Sequence, residues 1–202
     1  MNQTIDYYNN KAQDFALGTQ NVDFSETRSK FLAQLKSGAS ILDLGCGSGR
    51  DSKAFMDLGY EITPCDGSRE LCKLASNYLG LPVRQMLFLE LADEEAYDGV
   101  WACASILHCK KEELKQVLEK ISVALKKQGI CYTSFKYGDF EGERDGRYFV
   151  DFTLESFEEF LQDVKGLALM EAWVSQDVRP GREEEKWVNV LLRKVYNCVL
   201  PQ

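Results

Sequence analysis

Three glycines stand at alternate positions, Gly45, Gly47 and Gly49, directly after an apolar segment that begins at Ile41. Glycine has no Cβ, so it adopts a positive φ readily and lets a ligand approach the backbone closely. Where such a turn opens a helix, free N–H groups and the helix dipole favour a polar ligand. The alternative is a tight strand-to-helix turn that needs glycine for its geometry alone. We interpret the pattern as a ligand-binding turn.

An acidic residue, Asp66, follows the glycines at the end of the next predicted strand. The separation of ~20 residues is the one expected for a carboxylate that binds the hydroxyl groups of a ribose. The alternative is that Asp66 only caps the turn that follows. Each signal is weak alone, but the glycine turn and the carboxylate together predict a nucleoside cofactor.

The spacing of the glycines discriminates between two nucleoside cofactors. Dinucleotide-binding turns follow the pattern G-x-G-x-x-G, whereas here Arg50 stands where the last glycine of that pattern would be. Asp43 precedes the turn, and a carboxylate there suits a ligand with an amine better than a pyrophosphate. The pattern therefore favours S-adenosylmethionine over NAD.

His108 is the single histidine of the chain and follows the fourth predicted strand. Its intrinsic pKa would suit a general base. Such a base is needed only when a substrate must lose a proton. The alternative is a helix-cap or core histidine that shapes the pocket, and the residues leave both interpretations open.

The segment between Tyr137 and Phe152 reads as a loop of ~15 residues, which is longer than most such connections and is typical of a lid or binding loop. Cations in and near it would form a positively charged mouth for an anionic acceptor such as a carboxylate or an oxyanion. Alternatively, these cations pair with acidic residues and order the loop. The cations are Lys136, Arg144, Arg147 and Arg179, the loop also carries Tyr148, and the acids are Glu141, Glu143, Asp145 and Asp151.

The elements that must position these residues alternate between strand and helix, which predicts a parallel sheet with helices on both faces. We expect an α/β fold, a Rossmann-like three-layer sandwich with a mostly parallel seven-stranded sheet and an antiparallel last strand. Residues 1–202 would form a single domain, with residues 1–37 as an N-terminal helical lid. The predicted strands are 40–45, 60–66, 81–86, 98–105, 129–137, 167–175 and 187–194, and the predicted helices are 3–19, 24–35, 50–58, 69–79, 111–126 and 153–163.

Composition limits the classes of function. The chain has 202 residues and a net charge of −8, which disfavours broad nucleic-acid binding. No apolar run approaches the ~18–20 residues that cross a bilayer, and the polar N-terminal segment does not resemble a secretory signal. Seven cysteines, Cys198 among them, show no C-x-x-C spacing. We therefore expect no metal site and a reducing, cytoplasmic environment.

Four segments resemble the motifs of class I S-adenosylmethionine-dependent methyltransferases. They are "ILDLGCGSGRDS", "TPCDGS", "YDGVWACASILHC" and "LKKQGICYTSFK". The resemblance runs from about residue 5 to residue 193. The segments "YYNNKAQDFA", "SFKYG" and "RDGRYF" are most similar to the small bacterial tellurite-resistance-type methyltransferases.

The resemblance implies cofactor contacts at several strand ends and in the N-terminal helix. The glycine turn would line the amino-acid part, the second motif would bind the ribose and adenine, and an N-terminal tyrosine would close over the cofactor. Many members carry an Asp after the third strand that binds the adenine amine, but Leu87 stands there, so packing and the Phe88 N–H would hold the adenine. The predicted cofactor residues are Tyr7, Asp43, Gly45, Cys46, Gly47, Asp66, Gly67, Ser68, Phe88 and Cys103.

Methyl transfer from a sulfonium needs an in-line nucleophile, and positioning of the two reactants supplies much of the rate enhancement. We expect direct transfer to a small, anionic acceptor, with S-adenosylhomocysteine as the second product. The alternatives are a protein or nucleic-acid methyltransferase, a non-catalytic S-adenosylmethionine-binding sensor or partner subunit, and an NAD-dependent oxidoreductase. The acceptor and the oligomeric state stay open. The predicted catalytic residues are Tyr8, His108, Lys136 and Arg147.

Overall fold

The computed structural model describes residues 2–195, which form one seven-stranded sheet, a separate two-stranded hairpin and six α-helices. The helices are α1 (Asn2–Thr19), α2 (Ser25–Leu32), α3 (Arg50–Asp57), α4 (Arg69–Leu79), α5 (Lys111–Ala124) and α6 (Leu154–Leu161). The strands are β1 (Ser40–Leu44), β2 (Glu61–Asp66), β3 (Arg84–Gln85), β4 (Tyr97–Ala102), β5 (Leu125–Lys136), β6 (Glu141–Arg144), β7 (Arg147–Val150), β8 (Leu167–Gln176) and β9 (Lys186–Lys194).

The sheet has the strand order β3-β2-β1-β4-β5-β9-β8. Strands β1 to β5 pair in parallel, whereas β9 is antiparallel to both of its neighbours, β5 and β8. The predicted mostly parallel sheet with an antiparallel last strand is therefore confirmed. The strand order reverses at β1 and β4, and the crevice at their carboxyl ends is the place where open α/β sheets bind ligands.

Successive residues of the central strands point to opposite faces of the sheet, as strand geometry requires. Ile41 and Trp101 belong to an apolar cluster that includes side chains of α2 and α3. Leu42 and Val100 belong to a second cluster that includes side chains of α5 and α6. Helices thus cover both faces of the sheet, which confirms the predicted three-layer arrangement.

The segment between Tyr137 and Phe152 is not the long loop that we predicted. It forms the antiparallel hairpin β6–β7, in which Arg144 pairs with Arg147 across a two-residue turn. Asp145 and Gly146 in that turn have φ of 51° and 75°. Two positive φ values are typical of a type I′ turn, which favours the Asp-Gly sequence. The dipeptide was thus a hairpin signal within the segment.

Other predicted elements differ mainly at their ends. The third strand is reduced to Arg84–Gln85, and β5 begins at Leu125, directly after α5. The six cysteines within the described residues are free, and Cys198 lies outside them. Between residues 2 and 195 no helix has both the length and the apolar character needed to cross a membrane. In the same range no three His, Cys, Asp or Glu residues are grouped as metal ligands.

Candidate active site

A cavity of about 220 Å³ lies at the carboxyl ends of β1, β2, β4 and β5. Residues at or just beyond these ends line it, among them Gly45, Gly67, Cys103 and Lys136. Helix α1 contributes further lining residues, so this helix covers part of the opening. The α1 residues that line the cavity are Thr4, Ile5, Tyr8, Phe15 and Thr19.

The glycine turn is packed tightly against two other segments. A Cβ built on Gly45 would lie 2.4 Å from the Cβ of Ser105, and one on Gly47 would lie 2.9 Å from the ring of Phe15. Both glycines also have positive φ, 83° and 57°. The turn therefore needs glycine for its own conformation and for its packing, and it places backbone rather than side chains at the cavity wall.

Asp66 lies at the end of β2 and faces the cavity. Its carboxylate accepts hydrogen bonds from the backbone N–H groups of Gly47, at 2.9 Å, and Ser68, at 2.8 Å. Burial raises the pKa of Asp66 to about 6, although these two N–H groups lower it in part. The hydrogen bond between Gly47 and Asp66 places the glycine turn and the carboxylate side by side at the cavity.

Ser68 is fully buried and caps α4, because its side chain accepts a hydrogen bond from the N–H of Leu71. Its hydroxyl also donates to Asn9 Oδ1 of α1, at 2.8 Å. Ser68 is therefore not among the residues that line the cavity, whereas its neighbour Gly67 is. Its predicted contact with adenine stays a prediction.

Asp43 and Asp51 add two more buried carboxylates to the cavity wall. Ser52 Oγ donates to Asp43 at 2.6 Å. Burial, and then the charge of Asp51, raise the pKa of Asp43 to about 7. Burial alone would raise the pKa of Asp51, but the adjacent Arg50 guanidinium and the Trp101 indole N–H hold it below its usual value. Asp51 is thus neutralised by Arg50 and by Arg28, 2.8 Å away. Asp43 is the carboxyl group of this pair that a cationic ligand would stabilise in its charged form.

Cys46, Phe88 and Cys103 line the cavity, with Leu87 beside Phe88, and their predicted contacts with the cofactor stay predictions. Burial raises the pKa of the Cys46 thiol well above its usual value. Burial also raises the pKa of Cys103, to about 12. Both thiols are therefore protonated at neutral pH and are not activated as nucleophiles.

Helix α1 is attached to the rest of the site by side-chain hydrogen bonds. Thr4 Oγ1 accepts from the N–H of Tyr148 at 3.1 Å, and the Tyr8 hydroxyl lies 2.8 Å from His108 Nε2. Tyr7 points differently, with its ring 4.5 Å from the Arg147 guanidinium, and it does not line the cavity. Of the two tyrosines predicted to close over the cofactor, Tyr8 is thus the one that reaches the cavity. The cofactor contact of Tyr7 stays a prediction.

His108 uses both of its ring nitrogens within the protein. Nδ1 lies 2.6 Å from the carbonyl oxygen of Tyr148, and Nε2 faces the Tyr8 hydroxyl. Burial lowers the pKa of His108 to about 4, and the positive charge of Arg147 acts in the same direction. The imidazole is therefore neutral at physiological pH. Its role as a catalytic base stays a prediction.

Most of the cations predicted at the cavity mouth have carboxylate partners. Arg144 forms an ion pair with Asp151 at 2.9 Å. This contact is the alternative named above, in which a cation pairs with an acidic residue of the same segment. Arg179 pairs with Asp177 at 2.5 Å, and Lys136 lies against Asp177 and Glu185. Burial would raise the pKa of Asp177, but Arg179 and the other donors hold it far below its usual value. These cations are thus largely neutralised.

Arg147 differs from the other cations. Of the Lys and Arg residues that line the cavity in the described part of the chain, it alone has no carboxylate within ion-pair distance. Its Nε is buried and has no hydrogen-bond partner among the described residues. The guanidinium lies between aromatic rings instead, 4.5 Å from Tyr7 and 5.0 Å from Phe149. One uncompensated positive charge therefore faces the cavity.

Sequence reasoning missed the wall of the cavity formed by β5, β8, β9 and the turn between the last two strands. These residues come from elements far apart in the chain, and no spacing pattern links them. Asn189 is one of them; its side chain accepts from the Tyr132 hydroxyl at 2.7 Å and donates to Ser175 Oγ at 2.9 Å. The missed lining residues are Ser134, Ser175, Gln176, Asp177, Val178, Arg182, Trp187 and Asn189.

Comparison with known proteins finds a match to a methyltransferase domain and one partly matching curated relative. Residues 41–129 match a family model described as a methyltransferase domain. YqeM of Bacillus subtilis (strain 168), whose name describes it provisionally as a methyltransferase, is 29% identical over 119 residues. That match covers 53% of this chain and 48% of YqeM, so the chain spans about half the length of this curated relative.

Solved structures show the same fold. The Burkholderia thailandensis 1,6-didemethyltoxoflavin-N1-methyltransferase, with 1,6-didemethyltoxoflavin and S-adenosylhomocysteine bound, superposes with a TM-score of 0.78 at 20% identity, covering 96% of this chain and 88% of that one. A methyltransferase in a complex with the Haloferax volcanii Trm112 methyltransferase activator gives 0.71 at 19%, covering 95% and 98%. At these identities the likeness establishes the fold.

Proposed function

We propose that the chain, whose residues 41–129 match a methyltransferase domain, is a class I S-adenosylmethionine-dependent methyltransferase that transfers a methyl group to a small anionic acceptor. The observation that carries the acceptor class is Arg147, the cavity-lining cation of the described chain without a carboxylate partner. The Nε atom of this half-buried side chain is buried without a hydrogen-bond partner among the described residues, and a buried polar atom is costly unless a hydrogen bond compensates it. A carboxylate or other oxyanion on the acceptor would accept hydrogen bonds from the guanidinium in a bidentate arrangement.

The residues of the cavity fit S-adenosylmethionine. The backbone of Gly45 and Gly47, which lines the cavity, would contact the methionine part, and Asp66 would accept hydrogen bonds from the ribose hydroxyls. The buried carboxyl group of Asp43, which is hydrogen-bonded by Ser52, would attract its positive charge. When bound, this cofactor supplies a methyl group on a positively charged sulfur.

The contribution of the protein to the reaction would be positioning. Arg147 would bind the anionic group of the acceptor and thereby orient its nucleophilic atom toward the methyl group. Tyr8 and other α1 side chains would close the cavity and exclude water. We propose that residues 1–37 act as a lid, because hydrogen bonds that involve the side chains of Thr4, Tyr8 and Asn9 hold α1 over the cavity.

Two alternatives differ in what the cavity serves. A protein or nucleic-acid methyltransferase would need a cavity open to a large partner, and the cover formed by α1 and the net charge of −8 favour a small acceptor instead. A non-catalytic sensor would bind S-adenosylmethionine without turnover.

The location of the protein is a separate point. The free cysteines of the described chain favour a reducing cytoplasm.

The proposal is tested with a small-molecule extract and methyl-deuterated S-adenosylmethionine. We expect a deuterated methyl group on at least one acidic metabolite, detected by mass spectrometry, together with S-adenosylhomocysteine. Label that appears on added protein or nucleic acid alone would contradict the small acceptor. S-adenosylmethionine binding without any labelled product would favour the sensor.

Arg147→Met tests the anionic part of the proposal. Loss of a charged hydrogen-bond pair of ~1.5–3 kcal/mol should lower kcat/KM for the identified acceptor by about 10- to 100-fold. The affinity for S-adenosylhomocysteine should change much less. Arg69→Met removes an exposed arginine at the start of α4 and serves as the matched control. An equal effect of both substitutions would reject the role of Arg147.

A further inference from the structure

His108 makes two hydrogen bonds whose directions can be worked out. The carbonyl oxygen of Tyr148 can only accept, so Nδ1 of His108, 2.6 Å away, must carry a hydrogen. In a neutral imidazole the other nitrogen is then a bare acceptor. Nε2 lies 2.8 Å from the Tyr8 hydroxyl, so Tyr8 must be the donor in that bond.

The surroundings of the imidazole disfavour a second proton, which would reverse the bond to Tyr8. The ring is buried and packs edge-on against Phe149, with centroids 4.8 Å apart, and the positive charge of Arg147 lowers the pKa of His108 further. The titratable group hydrogen-bonded to the ring is Tyr8, whose pKa burial raises, although Arg147 lowers it in part. The chain from the Tyr148 carbonyl through His108 to Tyr8 is therefore fixed in one direction.

This direction determines what Tyr8 can offer to the cavity. A hydroxyl has one hydrogen and two lone pairs, and Tyr8 has committed its hydrogen to His108. Arg147 is a side-chain hydrogen-bond donor to the same oxygen. Tyr8 therefore has no hydrogen to donate into the cavity that it lines, and its oxygen can offer one remaining lone pair there. The Arg147 guanidinium lies 6.0 Å from the Tyr8 ring centre, so one small molecule can contact both groups.

We propose that Tyr8 determines acceptor specificity by accepting a hydrogen bond from an N–H or O–H group of the methyl acceptor, and that His108 is a positioning residue that orients Tyr8. The acceptor class is then a small acid that carries an amine or hydroxyl donor near its anionic group. The inference rests on the proposed function, because it concerns the acceptor of that reaction. In this arrangement His108 acts through Tyr8 and is not the base.

The hydrogen-bond chain is tested in the free protein by ¹⁵N NMR of imidazole, because His108 is the single histidine and needs no assignment. We expect a neutral ring with the proton on Nδ1 and a bare, hydrogen-bonded Nε2 between pH 5 and pH 8. Tyr8→Phe should shift the Nε2 resonance and leave the proton on Nδ1. Tyr78→Phe, which changes an exposed tyrosine, is the control. An Nε2-protonated ring, or an Nε2 resonance unaffected by Tyr8→Phe, would overturn the inference.

Specificity is tested by calorimetry on protein saturated with S-adenosylhomocysteine. The probes are 3-hydroxybenzoate against 3-methoxybenzoate, and 3-aminobenzoate against 3-(dimethylamino)benzoate. The donor-bearing member of each pair should bind ~3- to 10-fold more tightly, as expected for one hydrogen bond, and Tyr8→Phe should abolish the difference. Equal binding within each pair, or binding of neither member, overturns the specificity assignment. Neither experiment involves methyl transfer, so failure of the proposed function is recognised separately.

Discussion

Replacement of Asp43 by asparagine should stabilise the ligand-free protein at alkaline pH and weaken its binding of S-adenosylmethionine. Asp43 is 2% exposed, and burial together with Asp51 raises its pKa to about 7. A carboxyl group with a raised pKa stabilises the folded state fully below its unfolded pKa of ~4, and this contribution is lost as pH rises toward the folded pKa. Asparagine stays neutral and still accepts the hydrogen bond from Ser52.

The size of the effect follows from the pH window. Between pH 5 and pH 7 Asp43 loses about two pH units of stabilisation at ~1.4 kcal/mol each, and above pH 7 little more is lost. The free energy of unfolding of Asp43→Asn minus that of the wild type should therefore rise by about 2–3 kcal/mol between pH 5 and pH 8. His108, whose pKa is lowered to about 4, contributes with the opposite sign in both proteins and cancels in the difference.

The assay is urea denaturation of both proteins without ligand at several pH values. Asp163→Asn, at an exposed position after α6, is the matched control for the loss of a carboxylate. A difference between Asp43→Asn and the wild type that does not change with pH would refute the assignment of Asp43 as a carboxyl group whose burial disfavours its charged form.

Two further substitutions address the cofactor side of the cavity. Asp66→Asn should weaken S-adenosylhomocysteine binding at least ~10-fold in calorimetry, because a charged hydrogen-bond acceptor for the ribose is lost. The circular dichroism spectrum should stay native. An affinity equal to that of Asp163→Asn would reject the ribose contact. Gly47→Ala should lower the same affinity, because its Cβ would lie 2.9 Å from the Phe15 ring at a φ of 57°, and Phe15→Ala in the same chain should restore part of it. Gly59→Ala, with a φ of 84° and no atom within 4 Å of its Cβ, reports backbone strain alone. Identical losses for both glycines would show that the contact with α1 does not matter.

The sequence predicted the features that depend on local patterns. Three features are encoded by residues close together in the sequence: the glycine turn, the carboxylate at the end of β2 and the strand–helix alternation. In the structure the N–H of Gly47 donates a hydrogen bond to Asp66. The cap of α4 by Ser68 is local in the same way. The hairpin was also locally encoded, by Asp145 and Gly146, but the polar character of the segment outweighed that signal.

The features that could not be predicted depend on pairing between distant segments. Tyr8 and His108 are 100 residues apart, and neither position carries a pattern that links them. Four cations and several carboxylates near the mouth allow many pairings, so the lack of a carboxylate partner for Arg147 follows only once Arg144 and Arg179 have taken theirs. The wall containing Asn189 exists because β9 runs antiparallel beside β5, which places it at the cavity.

The central claim is that this cavity binds the sulfonium nucleoside and not a dinucleotide, and isothermal titration of the wild-type protein tests it most directly. We predict saturable heat at one site per chain with S-adenosylmethionine and with S-adenosylhomocysteine, and none with NAD. Saturable binding of NAD, or no binding of either sulfur nucleoside by folded protein, would contradict the account.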